Sequence, residues 1–88
     1  MINEQNSNLN KLDVTLGYNH WIDIPTPDQE RIEAAALDLG EDSQIVYEEF
    51  MELWDVPKTA EELGISESMV IGIIETVHTN AGFNVYNY

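Results

Sequence analysis

The stretch P-K-T-A-E-E-L-G-I-S-E-S-M-V-I-G-I-I-E-T-V, from Pro57 to Val77, decides how the rest of the chain is read. Ala60 stands four positions before Gly64, and Val70, Ile73 and Ile74 follow at helical intervals. A small residue lets two helices cross closely, and glycine accepts the left-handed backbone of a tight inter-helix turn. Thr59 and Glu62 have the Thr-x-x-Glu spacing of a capping box, and Ser66 is placed to cap a second helix. The spacing therefore predicts a helix-turn-helix, with helices over 59–64 and 66–79. Its second helix offers Glu67, Ser68, Met69, Ile71, Gly72 and Glu75. None of these is an Arg, Lys, Asn or Gln that could reach a base edge or a phosphate.

Charge carries that contradiction through the whole chain. Seventeen Asp and Glu stand against three Lys and Arg in 88 residues, a formal net charge of -14. The cations are Lys11, Arg31 and Lys58. Most of the carboxylates must face water, where their mutual repulsion lowers stability. A hydrophobic fraction of 43% is that of a folded domain, so the acidity is not that of a disordered tail. Direct binding to nucleic acid is not expected, because the net field opposes it. The length suits one domain with one modest core.

Working outward, Met1–Asn10 is polar and lacks the basic start and apolar run of a signal peptide. It reads as a lead-in to a single domain over 11–88. Leu12, Val14, Leu16, Ile22 and Ile24 alternate with polar residues, the period of a half-buried strand, with Gly17-Tyr18-Asn19-His20 as a break. Thr26-Pro27-Asp28-Gln29 reads as a helix start, and Ile32, Ala35, Ala36 and Leu39 form an apolar face ending at Gly40. A second helix is expected from about Asp42 or Ser43 to Asp55, with Val46, Phe50, Leu53 and Trp54 facing inward. Phe83, Val85, Tyr86 and Tyr88 suggest a short last strand that pairs with the first ones. The expected fold class is therefore α+β: about four helices (26–39, 43–55, 59–64 and 66–79) and a small antiparallel sheet from 12–24 and 83–88.

Motifs for chemistry are sparse. Cysteine is absent, His20 and His78 are far apart, and no zinc-ligand or calcium-loop spacing occurs. Ser66 and Ser68 lie in no nucleophile motif, and no pair of carboxylates is singled out for acid-base work. No catalytic residue, metal or cofactor is expected, and the chain does not read as an enzyme. Trp21 and Trp54 read as core anchors. No apolar run approaches the length of a membrane span.

The informative residues are the acids. Asp28, Glu30, Glu33, Glu48, Glu49, Glu52 and Asp55 are the candidate partner-binding residues, and Glu48, Glu52 and Asp55 fall at i, i+4 and i+7. Like charges at that spacing destabilise a helix. Carboxylates spread densely over two helices can approach the charge density of a duplex. A protein with a basic DNA channel would attract such a surface.

Tyr18-Asn19, Trp21-Ile22-Asp23, the helix containing Ile32 and Leu37, and Tyr47-Glu48-Glu49-Phe50 together resemble the opening module of the ArdA antirestriction proteins. The resemblance spans about a third of the chain. It implies a phage or mobile-element protein whose carboxylates imitate DNA phosphates and so block a restriction enzyme. The expected function is accordingly a DNA-mimic inhibitor of the antirestriction or anti-CRISPR type, acting in the cytoplasm of a host cell on a basic DNA-binding protein. A homodimer is compatible with this reading. The alternative is a regulator or adaptor that turns its helix-turn-helix toward protein, with Met69 and Ile71 as exposed contacts.

Overall fold

The computed structural model describes residues 14–83. Four helices follow a short 3-10 turn at Trp21–Asp23: α1 (Thr26–Asp38), α2 (Glu41–Leu53), α3 (Val56–Leu63) and α4 (Glu67–Asn80). No strand occurs among the described residues, so the expected α+β class is corrected to all-helical. The lead-in over 1–10, with Lys11 and Leu12, lies outside the described residues, as do Val85, Tyr86 and Tyr88 of the expected last strand.

The described part of the first expected strand fails for a visible reason. In a strand Ile22 and Ile24 would share a face, yet Ile22 is 69% exposed and Ile24 only 3%. A 3-10 turn advances about 120° per residue, so positions two apart diverge. Upstream, Leu16 and Gly17 are both left-handed, and Tyr18 N–H donates back to the Thr15 carbonyl, closing a turn where extended backbone was expected. Two alternating pairs were too few to separate the periods. At the other end, Phe83 N–H donates to the His78 carbonyl and Gly82 N–H to that of Thr79. This is a Schellman closure of α4, so Phe83 belongs to a helix cap.

The helix boundaries follow from local chemistry. Pro27 lies in the first turn of α1, where its missing N–H leaves no hydrogen bond unmade. Gly40, with φ 111 and ψ 169, directly precedes α2, which starts at Glu41, ahead of the expected Asp42 or Ser43. α2 ends at Leu53, because Trp54 is left-handed and Asp55 already caps α3 by accepting from Lys58 N–H at 2.8 Å. The predicted cap Thr59 is inside α3, fully buried, and its hydroxyl donates to the Asp55 carbonyl at 2.8 Å. α3 thus begins three residues before the expected 59, with Pro57 in its first turn. Gly64, at φ 69, makes the turn: its N–H donates to the Glu61 carbonyl and that of Ile65 to the Ala60 carbonyl. Ser66 caps α4 as expected, accepting from Met69 N–H at 3.1 Å.

α2 and α4 are the central helices, each touching the other three. Their inward faces supply Val46, Tyr47, Phe50, Val70, Ile74 and Val77, and α1 closes the core with Ile32, Ala35 and Ala36. Phe50 and Trp54 stack at 4.5 Å between centroids. Trp21 meets both Trp54 and Tyr47 at 6.1 Å, tying the N-terminal turn to α2. The Trp54 indole N–H adds a bond to the Tyr18 carbonyl at 2.9 Å. Leu63 and Ile73 are half-buried at its rim.

Candidate functional site

α1 and α2 fold back on each other across Leu39 and Gly40, and a groove of about 410 Å³ lies between them. Glu30 and Glu33 stand on the α1 side and Glu48 on the α2 side. Between them the lining is apolar, with Ala34 and Leu37 from α1 and Met51 from α2. Leu37 is 62% exposed although it sits among carboxylates. Residues at 30, 33, 34 and 37 are neighbours on one stripe of α1, and 44, 48 and 51 on one stripe of α2. The same periodicity that sends Ile32, Ala35 and Ala36 inward therefore sends this set to the groove.

Of the seven acids singled out in the sequence, the groove unites three. Glu48 accepts from Gln44 Nε2 at 3.1 Å, which holds its carboxylate against its own helix. Glu52 is exposed one turn farther along, and Glu49 is half-buried away from the groove lining. Asp28 is in the first turn of α1, where the helix dipole favours an anion, and pairs with Arg31 at 3.1 Å. Asp55 is not on α2 at all. Its side chain is committed to capping α3, so the expected i, i+4, i+7 row shrinks to Glu48 and Glu52.

Tyr47, at the base of the groove, belongs to a buried pair that sequence reasoning missed. Tyr47, fully buried, shares a hydrogen bond with His78 of α4 at 2.5 Å. Burial, and next to it the negative charge of Glu33, push the Tyr47 phenol far above its ordinary range. It is therefore a neutral hydroxyl under any physiological condition.

No carboxylate among the described residues is buried, and between described residues a single ion pair, Arg31 with Asp28, joins a basic side chain to an acid. No group of three or more His, Asp or Glu among the described residues is placed to hold a metal ion. No helix among them is long and apolar enough to cross a membrane.

A second groove, of about 270 Å³, lies where α2 meets the α3–α4 turn. Asp42 is its one acid among the described residues; Ile45, Leu63, Ile65, Met69 and Ile73 make it apolar. Met69 is 54% exposed, as the helix-turn-helix reading expected, but Ile71 is half-buried. Comparison with protein-family models, with curated proteins and with solved structures returns no match to this chain.

Proposed function

We propose that this chain is an acidic DNA-mimic inhibitor that occupies the basic DNA-binding surface of a nucleic-acid enzyme in the cytoplasm of a host cell, in the manner of antirestriction and anti-CRISPR proteins. The observation that carries the reading is the density of solvated charge on α1 and α2. Asp28, Glu30, Glu33 and Asp38 on α1 and Glu41, Asp42, Glu48, Glu49 and Glu52 on α2 face water wholly or in part. Each helix has 13 residues and is about 20 Å long at 1.5 Å per residue. Together the two helices carry nine carboxylates over about 40 Å of helix axis, an anionic array of the same sign as the phosphate backbone of a duplex. Repulsion on this scale opposes folding, so a cationic partner gains what the isolated protein loses. The resemblance of Tyr18–Phe50 to ArdA proteins points the same way.

The mechanism is competition. Lys and Arg side chains that hold DNA meet carboxylates, and the same surface cannot hold both. The direct test is a panel of restriction enzymes and CRISPR effectors, each bound to labelled duplex and titrated with the protein. At least one should release its DNA, less readily as salt rises. Retention of DNA by the whole panel would count against the proposal.

The runner-up reading rests on Ile45 and Met69, two exposed apolar residues lining one groove beside the α3–α4 turn. A regulator that uses a helix-turn-helix against protein would seat an apolar helix of its partner there. It predicts inhibition that is insensitive to salt and lost on Met69→Asp.

A further inference from the structure

We infer that the groove between α1 and α2 receives an amphipathic basic helix of the target, its aliphatic side chains seated along the groove on Leu37 near the bend and on Met51 toward the far end, while its Arg or Lys side chains meet Glu30, Glu33 and Glu48. This rests on the inhibitor reading above and names the element of the target that the acidic face would hold. Phosphate imitation alone needs only carboxylates. It leaves Leu37 unexplained, 62% exposed on the groove with Ala34 one turn before it on the same helix, and Met51 farther along the same groove.

The dimensions favour a helix. The groove runs from Glu30 to Leu37 along α1 and from Gln44 to Met51 along α2, about 10 Å or two turns in each case. A ridge of side chains at i, i+4 and i+7 fits a furrow of that length between two helices. The charge selects the sign of the occupant: Glu30, Glu33 and Glu48 form an anionic rim, and among the described residues no Lys or Arg lines the groove. A second copy of this chain, also at -14, matches the rim poorly, and so does nucleic acid. Arg and Lys have apolar stems that can lie along Leu37 and Met51 while their heads reach the carboxylates.

The test compares two synthetic peptides of equal positive charge by fluorescence anisotropy at about 0.15 M salt. One is helical, with Leu at i, i+4 and i+7 flanked by Arg; the other is oligo-arginine. The helical peptide should bind about tenfold tighter through its buried apolar side chains. Leu37→Ser, an exposed position that the fold does not need, should erase that advantage and leave oligo-arginine binding unchanged. Glu33→Gln with Glu48→Gln should weaken both peptides. Equal affinities, or an advantage that survives Leu37→Ser, would overturn the groove inference while leaving the inhibitor reading intact. If neither peptide binds, both readings fall. Self-association that Leu37→Ser abolishes would assign the groove to a second copy and overturn it as well.

Discussion

The Tyr47 hydroxyl and His78 Nε2 meet at 2.5 Å in the core, although 31 positions separate them and each belongs to a different helix. Their rings also make an edge contact at 5.4 Å. A polar link between the two central helices, walled in by Phe50 and Trp21, fixes their register more sharply than aliphatic packing does. Tyr47→Phe removes the hydroxyl and keeps the ring. It should lower stability by about 1–3 kcal/mol, the usual range when a buried polar group loses its partner. Urea unfolding followed by circular dichroism measures this, and a change within error would mean the link contributes nothing net.

The raised pKa of Tyr47 sets an alkaline limit. Below the ordinary phenol pKa near 10, folded and unfolded chains both hold the Tyr47 proton and its contribution is fully present. Above that, the unfolded chain releases the proton and the folded chain keeps it. Stability then falls as pH rises, by about 1.4 kcal/mol per pH unit for one proton. Denaturant midpoints of the wild type and Tyr47→Phe, compared between pH 9 and 11 (roughly bracketing the ordinary value), should converge with rising pH. Parallel curves would show that Tyr47 ionises in the folded protein.

Trp54 holds the joint between α2 and α3 in a left-handed conformation, φ 52, that a tryptophan seldom adopts. Its stack on Phe50 and its indole bond to the Tyr18 carbonyl compensate. Trp54→Ala should cost about 3–5 kcal/mol, the range for a large buried aromatic. Asp55→Ala, one residue on, deletes only the cap of α3 and should cost about 1 kcal/mol. Thermal melts of the two variants should rank in that order; the reverse would mean the cap, and not the stack, holds the joint.

Glu48→Lys with Glu52→Lys puts two cations one turn apart on the exposed side of α2. The fold should keep or slightly gain stability, since repulsion along the helix is relieved. Inhibition of a sensitive nucleic-acid enzyme should fall by a factor of ten or more, roughly 1.4 kcal/mol or above. Full inhibition by this variant would move the functional surface to the groove at Met69.

Legibility in the sequence depended on how local each signal was. Ser66 and Gly64 could be placed because a cap and a left-handed turn are set within a few residues. Pro27, Ile32, Ala35 and Ala36 could be placed because several turns repeat one period. The expected sheet is absent from the described residues because Val14, Leu16, Ile22 and Ile24 offer too few alternations to separate a strand from turns. Asp55 was read as part of an acidic row because its spacing from Glu48 and Glu52 is helical. Only the left-handed backbone at Trp54 reveals that the helix has already ended. The three acids at the groove are all legible in the sequence as surface carboxylates; how they come together is not. Their convergence depends on the angle at which α1 and α2 meet, and no local pattern encodes that angle. Tyr47 with His78 was hidden for the same reason.

Trp21 and Trp54, the chain's two indoles, lie 6.1 Å apart and are contributed by segments more than thirty residues apart. At that separation their electronic transitions couple. The near-ultraviolet signature of the pair therefore reports the docking of the N-terminal turn onto α2, and the far-ultraviolet band reports helix content. Release of that turn with the four helices intact would weaken the near-ultraviolet signal and remove the indole couplet, leaving the helical far-ultraviolet minima in place. The protein thus carries an intrinsic optical gauge of whether its first segment is seated, with no added label.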